Sequence, residues 1–161
     1  EFRRVLFRSQ LINCQSEADF KIAKALTIDY LKWLGMDLIY QGIEKELDTL
    51  NIMYNHPKGA FLYVTINGKV AGGVGVRYLE GDICEMKRLY IYEEFRGLQL
   101  GKLLCHSLIK KSKELGYKKM RLDTVSKLQT AIKMYEKIGF YNIEPYCPNP
   151  DHTASYMEIV L

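Results

Sequence analysis

The sequence predicts an α/β fold, a mixed, mostly antiparallel central sheet flanked by helices, and three observations carry that expectation. Phe61 to Ile66 and Val70 to Tyr78 are strand-like runs joined by Asn67-Gly68, a dipeptide suited to a tight hairpin turn. The segment Phe95-Arg96-Gly97-Leu98-Gln99-Leu100-Gly101-Lys102 leads into a run whose apolar positions Leu100, Leu103, Leu104, Leu108, Ile109 and Leu115 recur at helical spacing. A further strand, helix and two strands then reach Leu161, and this mixed order puts helices on both faces of one sheet.

Taken in order, residues 1–9 (Glu1-Phe2-Arg3-Arg4-Val5-Leu6-Phe7-Arg8-Ser9) match the in-frame translation of a short-read sequencing adapter. We read them as an artefact, against the alternative of a basic arm for membrane or nucleic acid, and residues 10–161 as one domain. Setting them aside removes three arginines and one glutamate, so the net charge falls by two from +4 and gives little reason to expect a polyanionic partner. Gln10 to Cys14 is a candidate strand, and Ser16 a candidate N-cap for a helix through Leu34 that stops at Gly35. A second helix is expected over Gln41 to Met53. Glu80-Gly81-Asp82 then turns the hairpin into a strand from Ile83 to Tyr92. After the glycine-containing loop and its helix come a strand from Lys119 to Thr124, a helix from Lys127 to Ile138, and strands over Phe140 to Tyr146 and Ala154 to Leu161.

Composition narrows the class. No uninterrupted apolar run is long enough to span a membrane, and no stretch reads as a signal peptide. Cys14, Cys84, Cys105 and Cys147 form no Cys-x-x-Cys pair, and His56, His106 and His152 do not cluster with them. The expectation is a cytoplasmic protein without metal, disulfides, or a membrane or nucleic-acid partner; a homodimer is compatible with it.

Charge inside the central strand marks a site. Glu85, Lys87 and Arg88 sit where flanking strands and covering helices make unpaired charge costly. Strict alternation puts Glu85, Lys87, Leu89 and Ile91 on one face and Cys84, Met86, Arg88 and Tyr90 on the other. A plainer alternative makes Glu85 and Lys87 an ion pair at a wet end of the strand. The loop that follows, with Gly97 and Gly101 permitting close backbone approach, Arg96 and Lys102 adding charge, and free amides opening the next helix, is suited to a phosphorylated ligand. It is neither a Walker loop nor a dinucleotide fingerprint.

This order of motifs resembles the GNAT superfamily of acyl-CoA-dependent N-acetyltransferases over roughly residues 17–161. The family's diphosphate loop reads Arg/Gln-x-x-Gly-x-Gly/Ala, and Arg96, Gln99 and Gly101 hold those positions, with Gln99 in place of the middle glycine. The resemblance implies acetyl-CoA as co-substrate, bound by Leu89, Tyr90 and Ile91 along its pantetheine arm and by Arg96, Gly97, Leu98, Gln99, Leu100, Gly101 and Lys102 at its diphosphate. The arm is expected to lie in a gap between the strands ending near Ile91 and Thr124, with a bulge near Leu89 opening it and an amide there polarising the thioester carbonyl. Glu85 matches a family general base and lies about 13 Å along the strand from Leu89, so it is expected to act through water. Tyr135, in Ala131-x-x-x-Tyr135-x-x-x-Gly139-Phe140, matches the tyrosine that donates to the departing sulfur, although it also continues an apolar helical stripe. Leu128 stands where many relatives carry asparagine.

The acceptor is expected to be a primary amine of a small molecule, held by early helices near Tyr30 to Tyr54 and by the loop Tyr146 to His152. Arg77, Lys87, Arg88 and Arg121 are more cations than a sheet surface requires, so an acceptor that also bears a carboxylate is one expectation; internal pairing with Glu85, Asp123 or Glu144 is the other. Acetylation of a protein N-terminus or lysine, and acyl-CoA binding without turnover, stand as alternatives. His56 and His152 are read as bystanders.

Overall fold

A computed structural model describes residues 8–35 and 42–161. Strand β1 (Ser9–Asn13) pairs antiparallel with β2 (Ala60–Ile66), placing Ser9 opposite Ile66, so the sheet begins at the last residue of the adapter-like stretch. Between them lies α1 (Glu17–Leu34), whose ends follow the sequence signals. The Ser16 hydroxyl accepts from the Asp19 amide and the Asp19 carboxylate accepts from the Ser16 amide, while Gly35 closes the helix at φ 84°.

The single helix expected over Gln41 to Met53 is instead two, α2 (Ile43–Asp48) and α3 (Leu50–Met53), and Gln41 lies outside the described residues. Thr49 divides them: its hydroxyl donates back to the Lys45 carbonyl at 2.7 Å, and its φ of −121° leaves the helical range.

Strand β3 (Lys69–Glu80) turns back from β2 through Asn67 and Gly68, at φ 52° and 81°, and pairs on its other side with β4 (Ile83–Ile91). Helix α4 (Leu100–Glu114) leads to β5 (Lys119–Thr124), α5 (Gln129–Ile138), β6 (Tyr141–Ile143) and β7 (Ser155–Val160). The seven strands take the order β1-β2-β3-β4-β5-β7-β6, and every pairing is antiparallel except β4 with β5. β6 is shorter than the expected strand over Phe140 to Tyr146. Pro145 supplies no N–H to a ladder and restricts Glu144, so pairing stops at Ile143.

Each face of the sheet carries its own core. Val64, Val74, Cys84, Met86, Leu104, Leu108, Met120 and Tyr135 pack on the side of α4 and α5. Phe20, Ala23, Leu26, Leu50, Tyr54, Phe61 and Tyr63 pack on the side of α1 and α3. Gly75 makes room for the second core, because a methyl group there would stand 2.6 Å from the Tyr54 ring.

The strict alternation expected along β4 fails at Arg88. Gly73 pairs with Tyr90 and Gly75 with Lys87, so Arg88 and Leu89 together oppose Val74 alone, with Arg88 at φ 63°. This bulge inverts the pleat. Leu89 and Ile91 therefore join Cys84 and Met86 on the α4 side, while Tyr90 packs in the α1 core and Arg88 in the same charged cluster as Glu85 and Lys87.

Candidate active site

Strands β4 and β5 are paired only from Ile83 to Glu85 against Lys119 to Arg121, and beyond these residues neither strand is paired with the other. The separated ends lead to the two loops that the sequence singles out. After β4 a turn of 3-10 helix (Glu93–Phe95) delivers Arg96 to Gln99 to the start of α4. Gly97 stands at φ 86°, and Gln99 takes φ 58° despite its side chain. The first amide bonded at the helix start is that of Leu103, to the Gln99 carbonyl, so the amides of Leu100, Gly101 and Lys102 are without backbone partners among the described residues. Lys102 is exposed beside them. Gly101 faces only the Met134 sulfur, 3.7 Å from where its Cβ would lie. This seat is suited to an anion.

Arg96 lies across the loop. Its Nε donates to the Ile91 carbonyl at 3.1 Å, and its guanidinium carbon stands 4.9 Å from the Trp33 ring centre. Lys127, beyond β5, lies 4.7 Å from that same ring centre and donates to the Trp33 carbonyl at 2.8 Å. Trp33, at the end of α1, thus ties together the loops that follow β4 and β5.

On the α1 side of the splay lies a network of opposite charges. Glu85, 1 % exposed, accepts from Arg77 Nε at 3.0 Å and from the Tyr146 hydroxyl at 2.7 Å. Glu46 receives Arg88 Nε at 3.0 Å and the Tyr54 hydroxyl at 3.2 Å, and lies 3.8 Å from Arg77. Lys87 lies 4.0 Å from Glu85 and 3.5 Å from Asp123. Burial and the neighbouring carboxylates push the Tyr146 and Tyr54 hydroxyls far above the usual phenol range. Three cations thus meet three carboxylates, which is how charge is carried so close to a core. Glu85, Asp123 and Cys147 bring donor atoms within 4.8 Å of one another, as a metal site would, but the Lys87 ammonium already supplies positive charge to both carboxylates.

A cleft of about 580 Å3 opens against this network, walled among the described residues by Tyr30, Glu46, Arg77, Lys87, Arg88, Asp123, Thr124, Leu128 and the Pro148 to Asp151 loop. Of the four cations considered for the acceptor, Arg77, Lys87 and Arg88 reach it, whereas Arg121 pairs with Glu80 and Glu158 outside it. Glu85 is not on its wall. Neither are His56 and His152, both exposed. Tyr135 sits on α5 under the splay, stacked edge-on to Phe140 and 6 % exposed. Its hydroxyl makes no hydrogen bond with another described residue. Burial raises its pKa well above the ordinary value, with Cys105 and Tyr30 adding to the shift. Glu46, Trp33 and Thr124 have no individual role in the sequence reading, Tyr146 enters it only as the first residue of the acceptor loop, and Asp123 only as an ion-pair partner. Of these, Asp123 alone had a signal, since it follows Arg121 by two residues on one face of β5.

Comparison with known proteins agrees with this geometry. The family model described as Acetyltransferase (GNAT) family matches residues 27–140, which include the splayed strands, the anion seat and Tyr135. An uncharacterised N-acetyltransferase of Schizosaccharomyces pombe is 41% identical over 143 residues, covering 88% of this chain and 86% of that protein. The structure of an acetyltransferase from Streptococcus agalactiae superposes with a TM-score of 0.77 at 19% identity, covering 96% of this chain and 99% of the other. That of yncA, a Salmonella typhimurium acetyltransferase determined with acetyl-CoA, gives 0.72 at 16%, covering 95% and 94%. With strands parting above a helix start that offers free amides, and a family match spanning both, this chain is an acyltransferase and belongs to the GNAT family of acetyltransferases.

Proposed function

We propose that the protein moves an acetyl group from acetyl-CoA directly to a primary amine of a small molecule. The observation that carries this reading is the opening between β4 and β5, which ends at the free amides of α4. A diphosphate fits that seat through Gly97, Leu98, Gln99, Leu100, Gly101 and Lys102, with Arg96 swinging from Ile91 to meet it. The pantetheine arm then runs beside Leu89, Tyr90 and Ile91, and an amide of the bulge at Leu89 faces the thioester oxygen as charge builds on it. Tyr135, protonated at any ordinary pH, gives its proton to the departing sulfur. Glu85, sealed from the cleft, serves at one remove by holding Arg77 and Lys87. The chemistry needs no metal, because backbone and phenol supply both polarisation and proton. The cleft volume is that of a small-molecule pocket. Four free cysteines fit a cytoplasmic setting.

Titration calorimetry with acetyl-CoA, followed by thiol release across a panel of amines, tests the reading. Gly101→Val should weaken acetyl-CoA at least tenfold without loss of fold, because the added side chain meets the ligand rather than the protein. Equal affinity in a folded variant removes the loop from the site. Binding without release of thiol points to a non-catalytic acyl-CoA-binding domain, and release with peptides alone points to protein acetylation. A carboxylate on the acceptor is the narrower form of the proposal. Arg77 and Arg88 would meet it, although Glu85 and Glu46 already hold them. Paired amines with and without a carboxylate decide this better than Arg88→Glu, which would set a second carboxylate against Glu46.

A further inference from the structure

We infer that Asp123 is the group that receives the acceptor's nitrogen and takes its proton, a role that rests on the acetyl-transfer reading above. Three carboxylates belong to the charged network, and their surroundings separate them. Glu85 is held by a guanidinium and a phenol and lies off the cleft wall. Glu46 is on the wall, but Arg88 reaches one of its oxygens with two nitrogens, at 3.0 and 2.9 Å, and Tyr54 takes the other. Asp123 is on the wall with no guanidinium on it: Lys87 stands 3.5 Å away, the Asn149 amide donates at 3.0 Å, and the Cys147 thiol lies 3.9 Å off. It is the carboxylate most open to an incoming cation.

Its place in the fold is also the right one. Asp123 lies near the end of β5, beyond the last residue paired with β4, on the edge of the opening where the thioester is proposed to sit. The next residue also borders the opening, from the face of β5 opposite Asp123. Thr124 lines the same cleft and is 4 % exposed, and its hydroxyl has no hydrogen-bond partner among the described residues. A buried hydroxyl left so is costly, and a polar group of a ligand entering between the separated strands would remove that cost.

In the step itself Asp123 first takes one proton from the bound ammonium and passes it to solvent, and the lone pair so freed forms the N–C bond as the C–S bond breaks. Asp123 accepts the proton that the nitrogen sheds, and the thiolate takes one from Tyr135. The proton on Asp123 then returns to Tyr135 through solvent, so amine plus thioester gives amide plus thiol. Among the described residues, the groups facing Asp123 are Lys87 and Glu85 from β4, Tyr30 from α1, Tyr156 from β7, and Tyr146, Cys147 and Asn149 from the loop before β7.

The test compares wild type with Asp123→Asn on the best primary amine of a panel of aliphatic and aromatic amines. We expect kcat/KM at neutral pH to fall by about 100-fold or more, with the dissociation constant for acetyl-CoA unchanged. The deficit should narrow as pH rises and the free amine becomes abundant without help, and Asp123→Glu should restore part of the rate. Thr124→Val should melt higher than wild type yet show a raised KM for a substrate. An Asp123→Asn protein that keeps its rate, or loses it equally at every pH, overturns the assignment while leaving acetyl transfer intact. A wild type that binds acetyl-CoA and acetylates no amine overturns the transfer reading and this assignment with it.

Discussion

Tyr135 and Cys147 show how surroundings sort two groups able to handle a proton. Burial raises the Tyr135 phenol, so at neutral pH it is a proton donor rather than a base. Tyr135→Phe should therefore lower kcat by about 10- to 100-fold with little change in acetyl-CoA affinity, since the proposed role of the hydroxyl comes as sulfur leaves. Unchanged turnover would make Tyr135 a packing residue of the α5 face. Cys147 is pushed up to about 11, first by burial and then by Asp123 and Glu85. A thiol held protonated in this way is a poor nucleophile, which favours direct transfer over an acetyl-cysteine relay. Cys147→Ser should keep wild-type turnover within a few-fold, and the rate of Cys147 alkylation should climb only as pH approaches 11. A covalent acetyl-enzyme trapped on Cys147 would contradict both expectations.

At the scale of elements, the β4 bulge and the clasp on Trp33 decide what the splayed strands can do. Arg88 holds a backbone conformation that ordinary side chains avoid, at a cost on the order of 1–3 kcal/mol. Its ion pair with Glu46 offsets that cost by anchoring the turned residue to α2. Gly75→Ala strikes the support of this arrangement, because Tyr54, which the added methyl group would displace, is also the hydroxyl partner of Glu46. Its melting temperature should fall markedly, whereas Gly101→Ala, whose methyl group would meet only the Met134 sulfur at ordinary contact distance, should leave melting near wild type. Arg96 rests on Trp33 and on the Ile91 carbonyl, a group also proposed for the pantetheine arm, so acetyl-CoA must lift it away. Trp33 is the chain's sole tryptophan. Its emission, corrected for adenine absorbance, should change on titration with acetyl-CoA and respond less in Arg96→Ala; an unaltered spectrum at saturation would show that Arg96 stays in place. Local signals made α1, the hairpin and the loop-to-helix junction before α4 legible in the sequence, because caps, Asn67-Gly68 and helical spacing act within a few residues. The break at Thr49 and the inverted face after Arg88 were not. Both arise where a side chain competes with regular structure or a strand must bend around its neighbours, and a strict period cannot register a single inserted residue.

Over the whole molecule the sheet is two parts, β1 to β4 and β5 to β7, joined by only three residue pairs of parallel ladder. Two cores lie on opposite faces, and the charged network closes the α1 side of the seam. Much of the site was hidden in the sequence for this reason: Glu46, Asp123 and Tyr146 are far apart along the chain and meet only once the sheet is assembled. On the proposed reading, a ligand lying along so lightly paired a seam completes it. At a concentration 100 times its dissociation constant, a ligand that binds only the folded state adds about 2.7 kcal/mol, which for a chain of this size is a rise of roughly 5–10 °C in melting temperature. Acetyl-CoA should produce that rise. Under hydrogen exchange, the slowed amides should cluster at residues 88–91, at 100–102 and at the end of β5, the positions that lack backbone partners across the opening. Slowing spread evenly over both halves of the sheet would mean that the ligand stabilises the fold without entering the seam, and the diphosphate seat would then have to be sought away from the start of α4.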